Sequence, residues 1–140
     1  LTLYAKNPFN ELEELLRQMV VDFALGNWDA HAKNTAFLYE EEMAPTLAPL
    51  YDVVPISEVE PRTNCLSMRI DGRILPDEIR ISSFVSEACK WGLQEATAKT
   101  IIDDCLERIV DGMRTASEIY PTAGKKHEQP ALKRIDKLAH

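Results

Sequence analysis

Apolar residues recur every three or four positions early in the chain, at Phe9, Leu12, Leu15, Leu16, Met19, Val20 and Phe23. That is the period of one helix face, so residues 8–25 are predicted to form an amphipathic helix with a single apolar stripe. Its ends agree. Asn7 is a good N-cap, Pro8 suits the first helical position, and Glu11, Glu13 and Glu14 favour the positive end of the helix dipole. Gly26 can close the helix in a left-handed conformation. A second helix is expected from a cap at Ser82 or Ser83 to about Trp91, where Gly92 breaks it. A third runs from Gln94 to about Tyr120 and stops before Pro121. Ala98, Ile101, Ile102, Cys105, Ile109 and Met113 share one face of it and should be core, with Gly112 its weak point.

Between these helices the period changes. Residues 35–39 are strand-like, Glu40, Glu41 and Glu42 would sit at a turn, and residues 45–49 lead back towards Tyr51. A short hairpin is therefore expected between Asn34 and Asp52. Residues 53–64 contain Pro55 and Pro61 and read as a loop, and residues 65–70 read as a strand ended by the turn pair Asp71 and Gly72. The last twenty residues carry Lys125, Lys126, His127, Lys133, Arg134 and Lys137 against Glu128 and Asp136. A solvated terminal helix is the plain expectation there. The fold class is mainly α, with one short β-hairpin.

Composition narrows the class. A chain of 140 residues is long enough for one core of ordinary size and too short for two comfortable domains. Hydrophobic residues at 45% and charged ones at 28% suit a soluble globular protein, and no transmembrane run is present. A net charge of −7 argues against a general nucleic-acid surface, which needs a basic face to displace counterions. Cys65, Cys89 and Cys105 are widely spaced and odd in number, so neither a zinc site nor a disulfide framework is expected. Cys89 and Cys105 fall in helical apolar patterns and should be buried, and reduced thiols point to the cytoplasm. The chain opens at Leu1 without a signal peptide and reads as a piece of something longer.

The candidate chemistry lies in residues 26–52, GNWDAHAKNTAFLYEEEMAPTLAPLYD. Asn34 follows Asp29 by five residues, and Asp52 follows Asn34 by eighteen. That order and spacing is a phosphotransfer signature, in which an Asp orients the attacking hydroxyl and an Asn and a later Asp hold magnesium. Asp29 would supply the anionic oxygen, while Asn34 and Asp52 would supply oxygen ligands to Mg2+, the rest coming from water and nucleotide phosphates. Lys33 is a candidate contact to the transferred phosphate, or a solvated surface lysine. His31 is a further catalytic candidate, although an imidazole hydrogen-bonded to backbone is the preferred reading. Trp28 and Tyr51 flank the two carboxylates and are expected to pack and hold the loop.

With these residues in view, GNWDAHAKNTAF followed by LAPLYDVVP resembles the active-site segment of the HipA-type bacterial toxin kinases. The resemblance is specific over residues 22–55 and looser in LSMRIDGR and the helices beyond. It implies that Asp29 is the catalytic Asp, Asn34 the magnesium-binding Asn, and Asp52 the second metal-binding residue, followed here by Val53 and Val54. The implied fold for residues 1–140 is the carboxy-terminal lobe of a protein-kinase-like architecture, with the hairpin between catalytic loop and metal-binding Asp. The glycine-rich loop, strand lysine and adenine hinge of the nucleotide-binding lobe are not found in these residues. Further implications are ATP as co-substrate, Mg2+, a protein serine or threonine on an aminoacyl-tRNA synthetase as acceptor, and an antitoxin of the HipB type. DNA would be engaged only through that antitoxin, and no membrane is implied. Two alternatives stay open: a non-catalytic, kinase-like partner-binding module, and a metal-dependent hydrolase using Asp29, His31 and Asp52.

Overall fold

A computed structural model describes residues 5, 7–39, 44–59 and 64–140. Helix α1 (Pro8–Leu25) starts with proline in its first turn and ends at Gly26, whose φ of 80° is the left-handed closure. Asn7 makes no side-chain capping bond. Leu12, Leu16, Val20, Phe23 and Ala24 are buried along one stripe. Phe9 departs from the expectation: it is 61% exposed, because the stripe is covered only from Leu12 onward.

Two short strands follow, β1 (Phe37–Leu38) and β2 (Thr46–Leu47), paired antiparallel with Phe37 opposite Leu47 and Leu38 opposite Thr46. The turn expected at Glu40, Glu41 and Glu42 lies outside the described residues. Side chains of α1 hold β2 and the segment after it. The Leu47 N–H donates to Glu11 Oε2 at 2.6 Å, and Gln18 Nε2 donates to the Ala48 carbonyl at 2.9 Å.

The segment after Asp52 was expected to be loop throughout, yet it contains one helical turn, α2 (Ile56–Val59). Pro55 sits just ahead of it and its carbonyl accepts the N–H groups of Glu58 and Val59. A proline at a helix start loses nothing, since its missing donor would have had no partner there. Residues 65–70 also differ from the expectation. They form no strand, only an isolated bridge between Ile70 and Arg73. The chain reverses at Asp71 and Gly72, with φ of 52° and 78°, the twist of a tight primed turn. Ser67 bonds instead to the loop after α1, its N–H donating to the Trp28 carbonyl at 2.8 Å.

Helix α3 (Ile81–Lys90) begins one position before the expected caps. Ser83 lies inside its first turn, where Oγ accepts the Arg80 N–H at 3.1 Å. Helix α4 (Glu95–Ile119) buries Ala98, Ile101, Ile102, Cys105 and Leu106 and runs unbroken through Gly112. Together α1, α3 and α4 enclose the core, where Phe23 meets Phe84 edge-on at 5.6 Å. Cys105 is buried, and its thiol, pushed up by burial, donates to the Arg17 carbonyl at 3.8 Å. Cys89 is exposed, contrary to its apolar surroundings in sequence.

Helix α5 (Pro121–Ala139) is not the solvated tail that its charge suggests. Ala131 and Leu138 are buried, and a Cβ at Gly124 would strike the Ser117 backbone, so α4 and α5 cross at close range. Arg134 is the anchor. Its Nε donates to the Ala24 carbonyl at 2.9 Å, and its other nitrogens reach Ser57 Oγ at 3.2 Å and Glu58 Oε1 at 2.9 Å. One guanidinium thus joins the end of α1, the turn after Asp52 and α5. Among the described residues no helix is long and apolar enough to cross a membrane.

Candidate functional site

The loop that leaves α1 is fixed by Asn27, a buried residue that composition alone did not single out. Its N–H donates to the Asp22 carbonyl at 2.8 Å, while Nδ2 donates to Asp22 Oδ1 at 2.7 Å and to the Asp52 carbonyl at 3.3 Å. Burial raises the Asp22 carboxyl above its ordinary range, an effect partly offset by the Asn27 hydrogen bond. Asn27 therefore ties the end of α1 to the backbone at Asp52. The sequence signal was only its place, an Asn right after a helix-closing glycine; its burial, which demands hydrogen-bond partners, is visible only in the structure.

Asn34 ends a short 3-10 turn, Ala32–Asn34. Its Nδ2 donates to Asp52 Oδ2 at 3.3 Å, so the two residues expected to share a metal face one another. Asp52 adopts φ 57°, a left-handed conformation that costs a non-glycine residue about 1 kcal/mol or more. Such strain persists where surrounding contacts over-determine it, and here Asn27 and Asn34 grip the residue on two sides. Tyr51 adds a third tie, its hydroxyl donating to the Lys33 carbonyl at 2.9 Å. This is the loop-holding role expected of it.

Asp29 is exposed and its Oδ1 accepts the Ser67 hydroxyl at 3.0 Å. Lys33 is exposed, and among the described residues its ammonium forms no ion pair. Among the described residues the expected backbone bond of His31 is not made. Its Nδ1 is buried with no hydrogen-bond partner among them, as is Nε1 of Trp28, and both residues border a cavity. That cavity, of about 280 Å³, lies between α1 and the loop and is bordered by Met19, Asp22, Trp28, His31, Asn34 and Leu66.

Metal chemistry is limited by the donors. Among the described residues no three His, Cys, Asp or Glu side chains gather as a ligand set, so Asp29, His31 and Asp52 do not form a multi-ligand metal centre of the hydrolase kind. Asp52 and Asn34 offer one carboxylate and one amide. Two oxygen ligands fit a hard cation that keeps its water and takes its remaining positions from phosphates, and they do not make a dedicated protein cage.

Comparison with known proteins identifies the family and the fold. The family model described as the HipA-like C-terminal domain matches residues 2–113. Y4mE of Sinorhizobium fredii, which carries a provisional kinase name, is 26% identical over 117 residues, covering 81% of this chain and 28% of that protein. A Haemophilus influenzae protein with the same kind of name is 35% identical over 54 residues, covering 39% of this chain and 16% of its own length. In three dimensions the chain resembles one in the Shewanella oneidensis complex of HipA, HipB and operator DNA. The TM-score is 0.75 at 21% identity, over 96% of this chain and 32% of the other. At that identity the likeness shows the fold. The chain spans less than a third of the length of the curated relatives it matches.

Proposed function

Since the chain belongs to the HipA-like C-terminal domain family, we propose that it is the carboxy-terminal lobe of a longer Mg-ATP-dependent serine/threonine protein kinase. The observation that carries this reading is the meeting of Asn34 and Asp52 across eighteen residues of chain, beside a loop that presents an exposed Asp29. Asp29 would orient the acceptor hydroxyl and receive its proton as the oxygen attacks the γ-phosphorus. Asn34 and Asp52 would hold magnesium, which when bound supplies positive charge to the phosphate oxygens. Lys33 lies between Asp29 and Asn34 in sequence and would add charge at the transferred phosphate. His31 would have a smaller part, since it borders the cavity and its Nδ1 has no partner among the described residues to orient the ring.

The nucleotide-binding half lies in the longer protein under this reading, so these 140 residues alone should transfer little phosphate. The proposed acceptor is a hydroxyl of a protein, with an aminoacyl-tRNA synthetase the expected substrate. The proposed regulator is an antitoxin of the HipB type, and the support for it is the composition of the Shewanella complex. DNA would be reached through that partner, in keeping with the net charge of −7, and the site of action would be the cytoplasm. The competing reading, a partner-binding module without chemistry, draws on the exposed Leu38 and Tyr39 at the strand edge. Phosphate transfer from labelled ATP by the full-length protein, with and without magnesium, separates the two. Magnesium-dependent transfer supports the kinase, and its absence in a folded protein supports the module.

A further inference from the structure

We infer that Ser67 is the positioning residue for Asp29, an inference that rests on the proposed role of Asp29 towards an acceptor hydroxyl. Ser67 makes two bonds to one loop from thirty-eight residues away: its hydroxyl donates to Asp29 Oδ1 at 3.0 Å, and its N–H donates to the Trp28 carbonyl at 2.8 Å. The backbone bond sets where the loop lies. The hydroxyl sets how the carboxylate turns.

An exposed aspartate on a loop otherwise samples several rotamers in water, and a hydrogen bond to one oxygen selects among them. Holding Oδ1 leaves Oδ2, which accepts no bond among the described residues, for an incoming hydroxyl. Ser67 can do this because its own segment is anchored. Leu66 and Ile70 on either side of it are buried, and the Leu66 N–H donates to the Ile74 carbonyl at 2.8 Å. The turn beyond is fastened to α3: the Asp71 N–H donates to Glu87 Oε2 at 2.9 Å, and the Asp71 carboxylate accepts from Ser86 at 2.7 Å and pairs with Lys90 at 2.8 Å. A chain of contacts thus runs from α3 through the turn to the carboxylate of Asp29.

The test compares Ser67→Ala and Ser67→Thr in the full-length protein. The alanine variant should lose about five- to tenfold in kcat, the size of one hydrogen-bond contribution, with KM for ATP within about twofold of wild type. Threonine keeps the hydroxyl and should restore kcat to within about twofold. An unchanged kcat in the alanine variant, or a threonine variant as slow as alanine, overturns the assignment. A second readout does not depend on activity. Side-chain scalar couplings of Asp29 measured by NMR should report one χ1 rotamer in wild type and Ser67→Thr, and averaging in Ser67→Ala. Averaged couplings already in wild type overturn the inference. If wild type transfers no phosphate, the kinase reading falls while the couplings still decide whether Ser67 orients Asp29.

Discussion

The side-chain amide of Asn34 donates to the carboxylate of Asp52 at 3.3 Å, although eighteen residues of chain separate them. The paired strands between them, and the hold of α1 on β2, bring the two ends of that stretch together. Asp52 is also held at its backbone carbonyl by Asn27, but neither side chain makes another hydrogen bond among the described residues, so both side chains remain available to a shared cation.

Replacing Asn34 by alanine should therefore weaken metal use more than protein stability. Under the proposed function, the magnesium concentration for half-maximal rate in the full-length protein should rise at least about tenfold, as expected if one of two protein ligands is removed. Thermal unfolding of Asn34→Ala should stay within a few degrees of wild type, because the lost hydrogen bond is exposed. A magnesium titration at fixed ATP reads the effect.

Arg134 and Glu58 form a largely buried pair at 2.9 Å, with side chains 14% and 13% exposed. Arg134→Met should leave Glu58 with the His127 ring, whose Nδ1 lies 2.6 Å from Oε2, and unfasten α5 from the end of α1. A loss of about 2–4 kcal/mol is expected in urea unfolding, since breaking such a pair leaves a desolvated carboxylate with less compensation. The double variant Arg134→Met with Glu58→Gln should recover part of it.

Asp22 carries the opposite kind of charge cost. Burial raises its carboxyl above the ordinary value, so the folded state holds the proton more tightly than the unfolded chain does. Its contribution to stability then declines as pH rises from the ordinary aspartate range through the raised folded value. Asp22→Asn keeps an acceptor for Asn27 without the charge, and its melting temperature should exceed that of wild type increasingly across that window and by a constant amount above it. Melting curves from pH 4 to 8 check the sign.

The turn at Asp71 should behave in the reverse sense. Lys90, with Ser86 and Arg73, holds its carboxyl well below the usual carboxylate range. A depressed folded value stabilises the fold above the ordinary aspartate pKa and is lost as pH falls through the folded one. Asp71→Asn should melt lower than wild type at neutral pH, and the gap should close as pH drops below about 4. Melting temperatures of the two proteins across pH 2 to 7 decide it.

Much of the frame was readable in the chain, and the reasons are local. Helix α1 announces itself through a seven-residue apolar stripe, a proline start and a glycine stop, and α4 through its buried face. The pairing of Asn34 with Asp52 was legible because a strand-like run and a turn between them return the chain on itself, and the two side chains lie 3.3 Å apart. The rest depends on partners distant in sequence. Arg134 sits among lysines and looks solvated until Glu58 and the Ala24 carbonyl are seen beside it. Ser67 is one polar residue in a strand-like run, and only the packing of that run against the loop puts its hydroxyl on Asp29. The α2 turn hides between prolines because four residues are too few to show a period. Cys89 and Phe9 lie in apolar patterns whose ends the core does not reach.

The most direct test is magnesium-dependent transfer of labelled phosphate from ATP by the full-length protein beside its Asp29→Ala, Asp52→Ala and His31→Ala variants. Wild type should transfer phosphate only with magnesium, both aspartate variants should lose at least about a thousandfold, and His31→Ala should lose less than about tenfold. Near-normal transfer by Asp29→Ala or Asp52→Ala, with the fold intact, would contradict the account.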